Sequence, residues 1–215
     1  MVQDAYNKIG ELDIKGKLFV EASTIHPDVT KATEKLILAK GAEFVAGPVF
    51  GAPAAAVGGQ LILAIAGKPS SIAKIHPFTE GVICKATIHV GEDVGKAPLL
   101  KITGNTMILG MVEILAEALV FAEKSGLGTD KLKEYIDLFF PKSPIALYCG
   151  RMLSGDYAPV APNRPGFQID LARKDCKHAM DLAAASGTRL EVTEIMDKHL
   201  AKAKEIGGDN MDVRY

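Results

Sequence analysis

The amino-acid sequence predicts an α/β layer followed by an all-α domain that one long helix dominates. Two observations support this fold class. Over the first half of the chain, short apolar runs alternate with segments of helical period, which is the pattern of an α/β layer. From Pro98 onward, one helical segment follows another with no convincing strand between them. We therefore expect two domains, over residues 1–97 and 98–215.

The first domain contains apolar runs that are typical of strands, because they are rich in branched and aromatic residues. A helix is expected after the first run, with Pro27 in its first turn and Gly41 at its end. A second helix is expected within SSIAKIHPFTEGV. The predicted strands are KLFVEAS at residues 17–23, AEFVAGPV at 42–49, QLILAIAG at 60–67 and ATIHV at 86–90.

The second domain is predicted to open with a helix over residues 98–125, since Pro98 is tolerated in a first turn and Gly126 favours a stop. At about 1.5 Å per residue this helix would be roughly 42 Å long, which suits a central or dimer-forming helix. A proline-containing loop is expected at 157–167 and a loose tail at 207–215. Shorter helices are predicted at TDKLKEYIDLFF, at SPIALYCGRML, at residues 168–186 and at LEVTEIMDKHLAKAKEIG.

Composition and charge exclude several classes of partner. The 25 basic and 26 acidic residues are interspersed, so neither nucleic acid nor an anionic membrane surface is expected to bind. The first residues lack the apolar core of a signal peptide, and the longest apolar runs are expected to be too short for a bilayer, which predicts a cytoplasmic protein. The 3 cysteines are predicted to be reduced thiols, and the 5 dispersed histidines predict no metal site.

Lys101 and Asn105 are the first candidates for chemistry, because residues four apart on a helix project from one face. A cation and an amide stacked in this way could bind a carboxylate or donate a proton to a developing alkoxide. The alternative interpretation is a solvated lysine beside an exposed amide. Gly104 and Gly110 favour the functional interpretation, since each costs roughly 1 kcal/mol against alanine in a helix and indicates that a backbone or ligand approaches closely there.

Two loops of the first domain offer further candidates, each with a structural alternative. The small-residue loop around Gly51 and Ala52 could present amide groups to an anion, or could be a tight connection beneath the next strand. Ser23 or Thr24, at the end of the first strand, could face a ligand at the carboxyl edge of the sheet. The same two residues could instead cap the helix that follows.

Four motifs, in this order, resemble the β-hydroxyacid dehydrogenase superfamily, which includes 3-hydroxyisobutyrate dehydrogenases, 6-phosphogluconate dehydrogenases and imine reductases. They are STIHPD, GPVFGAPAAAVGGQL, VGEDVGKAPLLKITGN and PGFQIDLARKDCKHAMDLA, and they extend over nearly the whole chain. The resemblance implies that Lys101 is the proton donor and that Asn105 holds the substrate. It also implies a role for the Lys174–Asp175 pair, and it places Thr24 close to a nicotinamide ring.

The resemblance further implies substrate contacts at Phe50, Gly51 and Ala52. Many members of the family have Ser-Gly-Gly at these three positions. The replacement removes a hydroxyl that would hold the carboxylate of a hydroxyacid, so a small hydroxyacid is not the expected substrate. The expected ligand is a hydrophobic small molecule.

The family's dinucleotide fingerprint, a Gly-x-Gly-x-x-Gly turn after the first strand, does not occur in this sequence. The chain opens in what resembles the helix before the family's fifth strand, so the first domain is predicted to be a remnant of a Rossmann domain, short of roughly one hundred residues. Two expectations follow from this absence. No cofactor is expected to bind well, and the open sheet edge and uncovered apolar face predict a homodimer.

Three hypotheses for function follow from these residues. The first is a cofactor-independent isomerase, cyclase or lyase that acts on a hydrophobic metabolite in a retained small-molecule pocket. The second is an NADP-dependent oxidoreductase, of the hydroxyacid or imine reductase type, which is truncated or completed by another chain and would bind NADP(H). The third is a non-catalytic binding or dimerisation module, in which Lys101 has no chemical role.

Overall fold

The computed structural model describes residues 2–155, 166–207 and 212–213. The chain divides into two compact units, residues 1–104 and 105–215, and each is considered by itself below. The predicted proline-containing loop at 157–167 lies almost entirely outside the described residues, as does most of the predicted tail. The predicted fold class is confirmed, because a mixed sheet with helices is followed by a helical region with one long helix.

The first unit contains a mixed, five-stranded sheet. The first two strands pair in parallel, and so do the last two, while the remaining pairs are antiparallel. The apolar runs predicted as strands all form strands. Their bounds are β1 (Leu18–Glu21), β2 (Glu43–Ala46), β3 (Val49–Phe50), β4 (Leu61–Gly67) and β5 (Cys84–His89).

The run AEFVAGPV, predicted as one strand, forms β2 and β3 with an interruption at Gly47 and Pro48. Both segments pair with β4 in a single antiparallel register, in which Ala46 lies opposite Ala66 and Phe50 lies opposite Ile62. Proline has no N–H to donate to a ladder, which explains the break in the strand. The prediction of a single strand is therefore wrong in its continuity, although one register extends through the whole run.

Among the described residues, the sheet of the first unit is accompanied by four helices, three of which begin at a proline. Each of α2, α3 and α4 begins at a proline, whose fixed φ suits the first turn of a helix and whose missing N–H would have no partner there. The short helix α3 lies where a loop was expected. A 3₁₀ turn at His76–Phe78 follows α4. The helices are α1 (Val2–Ile9), α2 (Pro27–Ala39), α3 (Pro53–Val57) and α4 (Pro69–Ile75).

Two apolar clusters stabilise the first unit. One contains Tyr6, Ile37 and Phe44, with Phe50 and Leu100 packed against it. The other is made by alternate residues of β4 together with Val45 and Cys84, as expected for a strand that is covered on both faces. Burial of this apolar area is the main favourable contribution to folding, at about 25 cal/mol per Å².

The long helix α5 (Lys96–Lys124) begins in the first unit and continues into the second. It matches the predicted helix closely. The helices that follow also lie where the sequence predicted them, and Ser143 caps α7 by accepting a hydrogen bond from the backbone N–H of Ala146 at 3.3 Å. They are α6 (Thr129–Phe139), α7 (Pro144–Ser154), α8 (Ile169–Ala185) and α9 (Glu191–Gly207).

The inner face of α5 supplies the core of the second unit. Leu109 packs in a cluster with residues of α8 and α9, including Cys176 and Met196. Further along the helix, Leu115 and Leu119 pack with Ile136, Cys149 and their neighbours on α6 and α7. This spacing of buried residues, three to four apart, is that of a helix with one buried stripe.

Helix α5 is also the helix that, among the described residues, is long and apolar enough to cross a membrane by length and composition alone. The expectation from the sequence concerned uninterrupted apolar runs, whereas this criterion also admits a helix with charged residues in its apolar window. Only 33% of its most apolar window is buried within the chain. A packed core helix passes the same test, and the clusters around Leu109 and Leu115 show that α5 is packed in this way.

Candidate functional site

Lys101 lies in the second turn of α5 and is half-buried. Its Nζ is 4.6 Å from the centroid of the Phe50 ring, within the distance of a cation–π contact. Phe50 is held in place by its pairing with Ile62 in the sheet. The alternative of a solvated surface lysine is therefore not what the structure shows, because one side of the ammonium is covered by an aromatic face.

Gly104 explains how the Phe50 ring can approach the helix. A Cβ at this position would lie 2.5 Å from Cε1 of Phe50, closer than real side-chain contacts allow. A close approach at Gly104 is therefore present, but the approaching group is a side-chain ring and not the backbone or ligand that was expected. At Gly110 the same prediction is wrong, since a Cβ there would meet Met196 and Val192 at an ordinary 3.8 Å.

Asn105 contacts the carboxylate of Asp175 within the second unit. Its Nδ2 donates a hydrogen bond to Oδ2 at 2.6 Å, and the two residues are only 6% and 3% exposed. A carboxylate at this distance requires an N–H and not a carbonyl oxygen opposite it, which fixes the orientation of the amide. The expectation of an exposed amide at Asn105 is therefore excluded.

The second carboxylate oxygen of Asp175, Oδ1, forms an ion pair with Lys174 but accepts no well-aligned hydrogen bond from the described residues. The Nζ of Lys174 is 2.9 Å from Oδ1, while no hydrogen bond of good geometry reaches this oxygen from the described residues. Lys174 thus offsets much of the cost of burying the charge. Because Oδ1 is itself buried, a contact of the Lys174–Asp175 pair with a ligand stays a prediction.

Thr24 follows β1 at the carboxyl end of the parallel pair of strands and is half-buried. The preceding turn is fixed because the backbone N–H of Ser23 donates to Oε1 of the buried Glu21 at 2.6 Å. Neither Ser23 nor Thr24 caps α2. The cap is His26, whose Nδ1 accepts from the backbone N–H of Asp28 at 3.2 Å. The capping alternative for Ser23 and Thr24 is therefore wrong.

Gly51 and Ala52 form the turn between β3 and α3. Gly51 has a φ of 137°, and a Cβ there would lie 2.6 Å from Cδ2 of Leu61, so the backbone itself requires glycine. Ala52 is the N-cap residue of α3 and makes no side-chain cap. The tight-connection alternative accounts for both residues, and their contact with a substrate stays a prediction.

The thiols in this region do not provide a nucleophile. All three cysteines are free and buried. Burial, reinforced by the nearby carboxylates of Asp197 and Asp175, raises the pKa of Cys176 to about 12. Burial also raises the pKa of Cys149. The reactive groups of the site are therefore an ammonium, an amide and a carboxylate.

The structure brings some of the predicted residues into contact with one another and fixes others in turns. Phe50 meets Lys101 in the first unit, while in the second unit Asp175 contacts both Asn105 and Lys174. Thr24, Gly51 and Ala52 are positioned by their own turns. The sequence did not reveal the contact between Asn105 and Asp175, which are 70 residues apart, nor the cap at His26. Only the latter had a signal, because Pro27 in the first helical position marks the preceding residue as the cap.

Family models match both parts of the chain. The model of the NAD-binding domain of NADP-dependent 3-hydroxyisobutyrate dehydrogenase matches residues 95–214, and that of the NAD-binding domain of 6-phosphogluconate dehydrogenase matches residues 1–91. These matches define an enzyme of the dehydrogenase and oxidoreductase class. Within that class, the chain belongs to the β-hydroxyacid dehydrogenase superfamily, as the resemblance of its motifs predicted.

Named relatives agree with this assignment. The NADH-dependent oxidoreductase ucdB of Aspergillus ustus is 32% identical over 99% of this chain and 70% of its own length. Glyoxylate/succinic semialdehyde reductase 1 of Arabidopsis thaliana is 28% identical over 96% of the chain and 70% of its own. The structure of 3-hydroxyisobutyrate dehydrogenase from Mycobacterium tuberculosis with L-serine shares the fold, with a TM-score of 0.82 at 24% identity over 99% of this chain and 73% of that one.

These findings overturn the leading functional hypothesis. A cofactor-independent isomerase, cyclase or lyase is contradicted, because relatives that align over nearly the whole chain are named as an NADH-dependent oxidoreductase and as reductases of glyoxylate, succinic semialdehyde and 2-hydroxy-3-oxopropionate. The expectation that no cofactor binds is wrong for the same reason. The error arose because the absence of the pyrophosphate loop was treated as loss of all dinucleotide binding. A dinucleotide is also held at its nicotinamide end, at the carboxyl edge of the sheet.

The residues present fit the nicotinamide end of such a cofactor. Thr24 supplies a hydroxyl at the carboxyl end of β1, in a turn that Glu21 holds fixed. A hydroxyl can both donate to and accept from an amide substituent such as that of a nicotinamide ring. The supported hypothesis is therefore the second one, an NAD(P)-dependent oxidoreductase.

Proposed function

We propose that this protein is an NAD(P)H-dependent reductase of a small carbonyl compound, with Lys101 as the proton donor. The observation that carries the proposal is the environment of Lys101, whose ammonium lies over the ring of Phe50. Lys101 is on α5, the helix that also bears Asn105, whose amide is fixed by its hydrogen bond to Asp175. Asn105 is buried and Lys101 is half-buried, so both are partly or fully shielded from water, and a charge that develops on a carbonyl is stabilised more strongly in such surroundings. When bound, the reduced nicotinamide supplies the hydride that the carbonyl carbon accepts.

Lys101 would stabilise the negative charge that develops on the carbonyl oxygen and then donate a proton from Nζ to it. The overall change is the conversion of a carbonyl and one proton, with one hydride, into an alcohol. Because Lys101 is only half-buried, water can return the proton to Nζ after each cycle. Positioned acids of this kind contribute about 10²–10⁴-fold to a rate.

Asn105 would hold the substrate by hydrogen bonding. Asp175 accepts one N–H of its amide, so the other N–H and the carbonyl oxygen have a fixed direction. Fixed donors are more effective than mobile ones, because no reorganisation is needed as charge develops. In this proposal Asn105 orients the reacting group and Lys174 with Asp175 recognises a polar substituent.

The substrate class follows from the groups that surround Lys101. An aldehyde or ketone with an apolar substituent suits the Phe50 side of Lys101, since the ring offers no hydrogen bond to a carboxylate. The Arabidopsis relative is named for glyoxylate and succinic semialdehyde, which supports an aldehyde as the reacting group. We propose that Phe50, Gly51, Ala52 and Thr24 line the region that the substrate and the nicotinamide ring enter.

The test is oxidation of NADH and NADPH, followed by absorbance, with a panel of aldehydes and ketones. Turnover by the wild-type chain and a loss of at least about 10²-fold in kcat for Lys101→Met would support the proposal. Lys124→Met, on the same helix but in its exposed last turn, is the matched control and should leave kcat unchanged. If the wild type oxidises neither cofactor with any carbonyl, or if Lys101→Met turns over normally, the proposal is wrong.

We also propose that the protein is a homodimer that covers the exposed stripe of α5. Met107, Ile114 and Phe121 are spaced seven residues apart and are 73%, 63% and 73% exposed. A seven-residue apolar period is the pattern with which one helix packs against another. A second copy of the chain presents the same stripe, so a symmetric pairing would bury both.

Sedimentation velocity of the wild type and of Ile114→Lys tests this pairing. We expect a dimer for the wild type and a monomer for the variant, because a lysine at the centre of the stripe would bury an unpaired charge. Leu138→Lys is the control, because it places a lysine at an exposed apolar residue of a different helix, α6, and this variant should stay dimeric. A monomeric wild type would contradict the proposal.

A further inference from the structure

We propose that Phe50 is a positioning residue for Lys101, and that Gly104 is required because it lets the Phe50 ring reach its place. The ring holds the ammonium in the arrangement from which it donates a proton. This inference rests on the proposed function, in which Lys101 is the proton donor. Its experiment includes a measurement that does not depend on turnover.

The Phe50 ring has little freedom of its own. Its backbone is paired with Ile62 in the register that β2 and β3 share along β4. The ring packs against the apolar cluster that contains Phe44. The next residue, Gly51, has a φ that other residues rarely adopt, so the chain leaves the strand in one defined direction. A side chain fixed in these ways can serve as a reference point for a mobile one.

Lys101, in contrast, has a flexible four-carbon stem with a strongly hydrated charge at its end. Placing the ammonium 4.6 Å from the ring centroid restricts this stem to few rotamers. The attraction acts on the charge, because the negative face of the ring faces Nζ. Errors of about 1 Å in the placement of a reacting group cost up to about 10²-fold in rate, so this restriction bears directly on catalysis.

Gly104 makes the arrangement possible. It lies three residues after Lys101, on the same face of the helix, and a Cβ there would lie 2.5 Å from Cε1 and 3.0 Å from Cζ of Phe50. One ring therefore covers Gly104 and reaches Nζ of Lys101 at the same time. Any larger residue at 104 would push the ring away from the ammonium.

The first measurement is the NMR spectrum of the full chain after reductive methylation of its lysines with ¹³C. The N-methyl signal of Lys101, assigned by its loss in Lys101→Arg, should be displaced upfield of the other lysines by the ring current of Phe50. The displacement should persist in Phe50→Tyr, which keeps an aromatic face, and vanish in Phe50→Leu. A signal that is not displaced in the wild type, or that is unchanged in Phe50→Leu, would overturn the inference.

The second measurement is the separation of kcat from KM with the carbonyl substrate. Phe50→Leu should lower kcat by about 2- to 30-fold, the equivalent of ~0.5–2 kcal/mol at 1.36 kcal/mol per tenfold, and change KM less. Phe50→Tyr should restore most of kcat. Phe78→Leu, at an exposed phenylalanine of the same unit, is the control and should be neutral.

The outcomes separate the two proposals. If the wild type shows the displaced lysine signal but oxidises no cofactor, the reductase proposal fails, while the positioning of the Lys101 ammonium by Phe50 is supported. If the wild type turns over and Phe50→Leu has the same kcat, or loses only affinity for substrate, the positioning role of Phe50 is wrong and the reductase proposal stands.

Discussion

The side-chain amide of Asn105 and the carboxylate of Asp175 form a buried pair, joined by a hydrogen bond of 2.6 Å. Such a bond to a charged group contributes about 1.5–3 kcal/mol, and the partner that remains after a deletion is left unsatisfied. We therefore expect Asn105→Ala and Asp175→Ala each to destabilise the chain. In a double-mutant cycle from urea unfolding, the coupling between them should be about 0.5–3 kcal/mol.

Asp181→Ala serves as the control for this cycle, since Asp181 is exposed on the same helix as Asp175. Its effect on the free energy of unfolding should stay within about 0.5 kcal/mol. A coupling energy no larger than the error of additivity, about 0.3–0.5 kcal/mol, would mean that the pair does not act as a unit.

Alanine should have opposite effects at the two glycines of α5. Alanine is about 1 kcal/mol more favourable than glycine in a helix, and at Gly110 the added Cβ meets only ordinary contacts. Gly110→Ala should therefore raise the melting temperature. At Gly104 the Cβ collides with the Phe50 ring, and overpacking costs about 1–3 kcal/mol, so Gly104→Ala should lower it.

Differential scanning calorimetry of both glycine variants gives the comparison directly. In a Phe50→Ala background the collision is absent, so Gly104→Ala should there be neutral or stabilising. The explanation is wrong if Gly104→Ala is as stable as Gly110→Ala when Phe50 is present.

The turn before α5 should lose stability in acid. Oδ1 of Asp93 accepts the backbone N–H of Gly95 at 3.0 Å and lies 3.4 Å from Nζ of Lys31, and these contacts, the hydrogen bond first, hold the pKa of Asp93 below its ordinary value. Because the pKa of Asp93 is lower in the folded state, its ionised carboxylate stabilises the fold at pH values above the unfolded pKa of about 3.9. This stabilisation is lost as the pH falls through the folded pKa.

The measurement for Asp93 is the free energy of unfolding of the wild type and of Asp93→Asn at several pH values. Because the pair is solvent-exposed, the difference at neutral pH should be no more than about 1 kcal/mol. It should shrink steadily below a pH of about 3.9 and not above it. A difference that is independent of pH would refute the assignment.

The thiols should be inert in the folded protein. All three are buried, and burial raises the pKa values of Cys149 and Cys176, so little thiolate is present at neutral pH. A thiol-specific chromogenic disulfide should react with none of them in native buffer and with all 3 in urea. Rapid reaction of one thiol in native buffer would show that a cysteine is accessible.

The helices could be predicted from the sequence because their ends carry local signals. Pro27 and Pro144 open α2 and α7, and Ser143 caps the latter, each through interactions that span only a few residues. The strand run at 42–49 was predicted in the right place, but the effect of Pro48 on its continuity was missed. A proline within a run is itself a local signal of interruption.

The contacts of the site could not be predicted in the same way. Asn105 and Asp175 come together only when α5 and α8 pack in the second unit, and no spacing in the sequence encodes this distance. The position of Phe50 over Lys101 likewise depends on the register of the sheet. The error in function had another origin, since it was drawn from a motif that was absent and not from residues that are present.

The shared register of β2 and β3 along β4 constrains how this protein can change. Successive side chains of a strand point to opposite faces, so inserting or deleting one residue between Ala46 and Phe50 would turn the Phe50 ring away from Lys101. A substitution at Pro48 leaves the count intact, whereas a Cβ at Gly47 would lie only 3.1 Å from Cγ1 of Val20. In evolution and in engineering, the length of this short link should therefore stay fixed, and its composition should vary more at position 48 than at position 47.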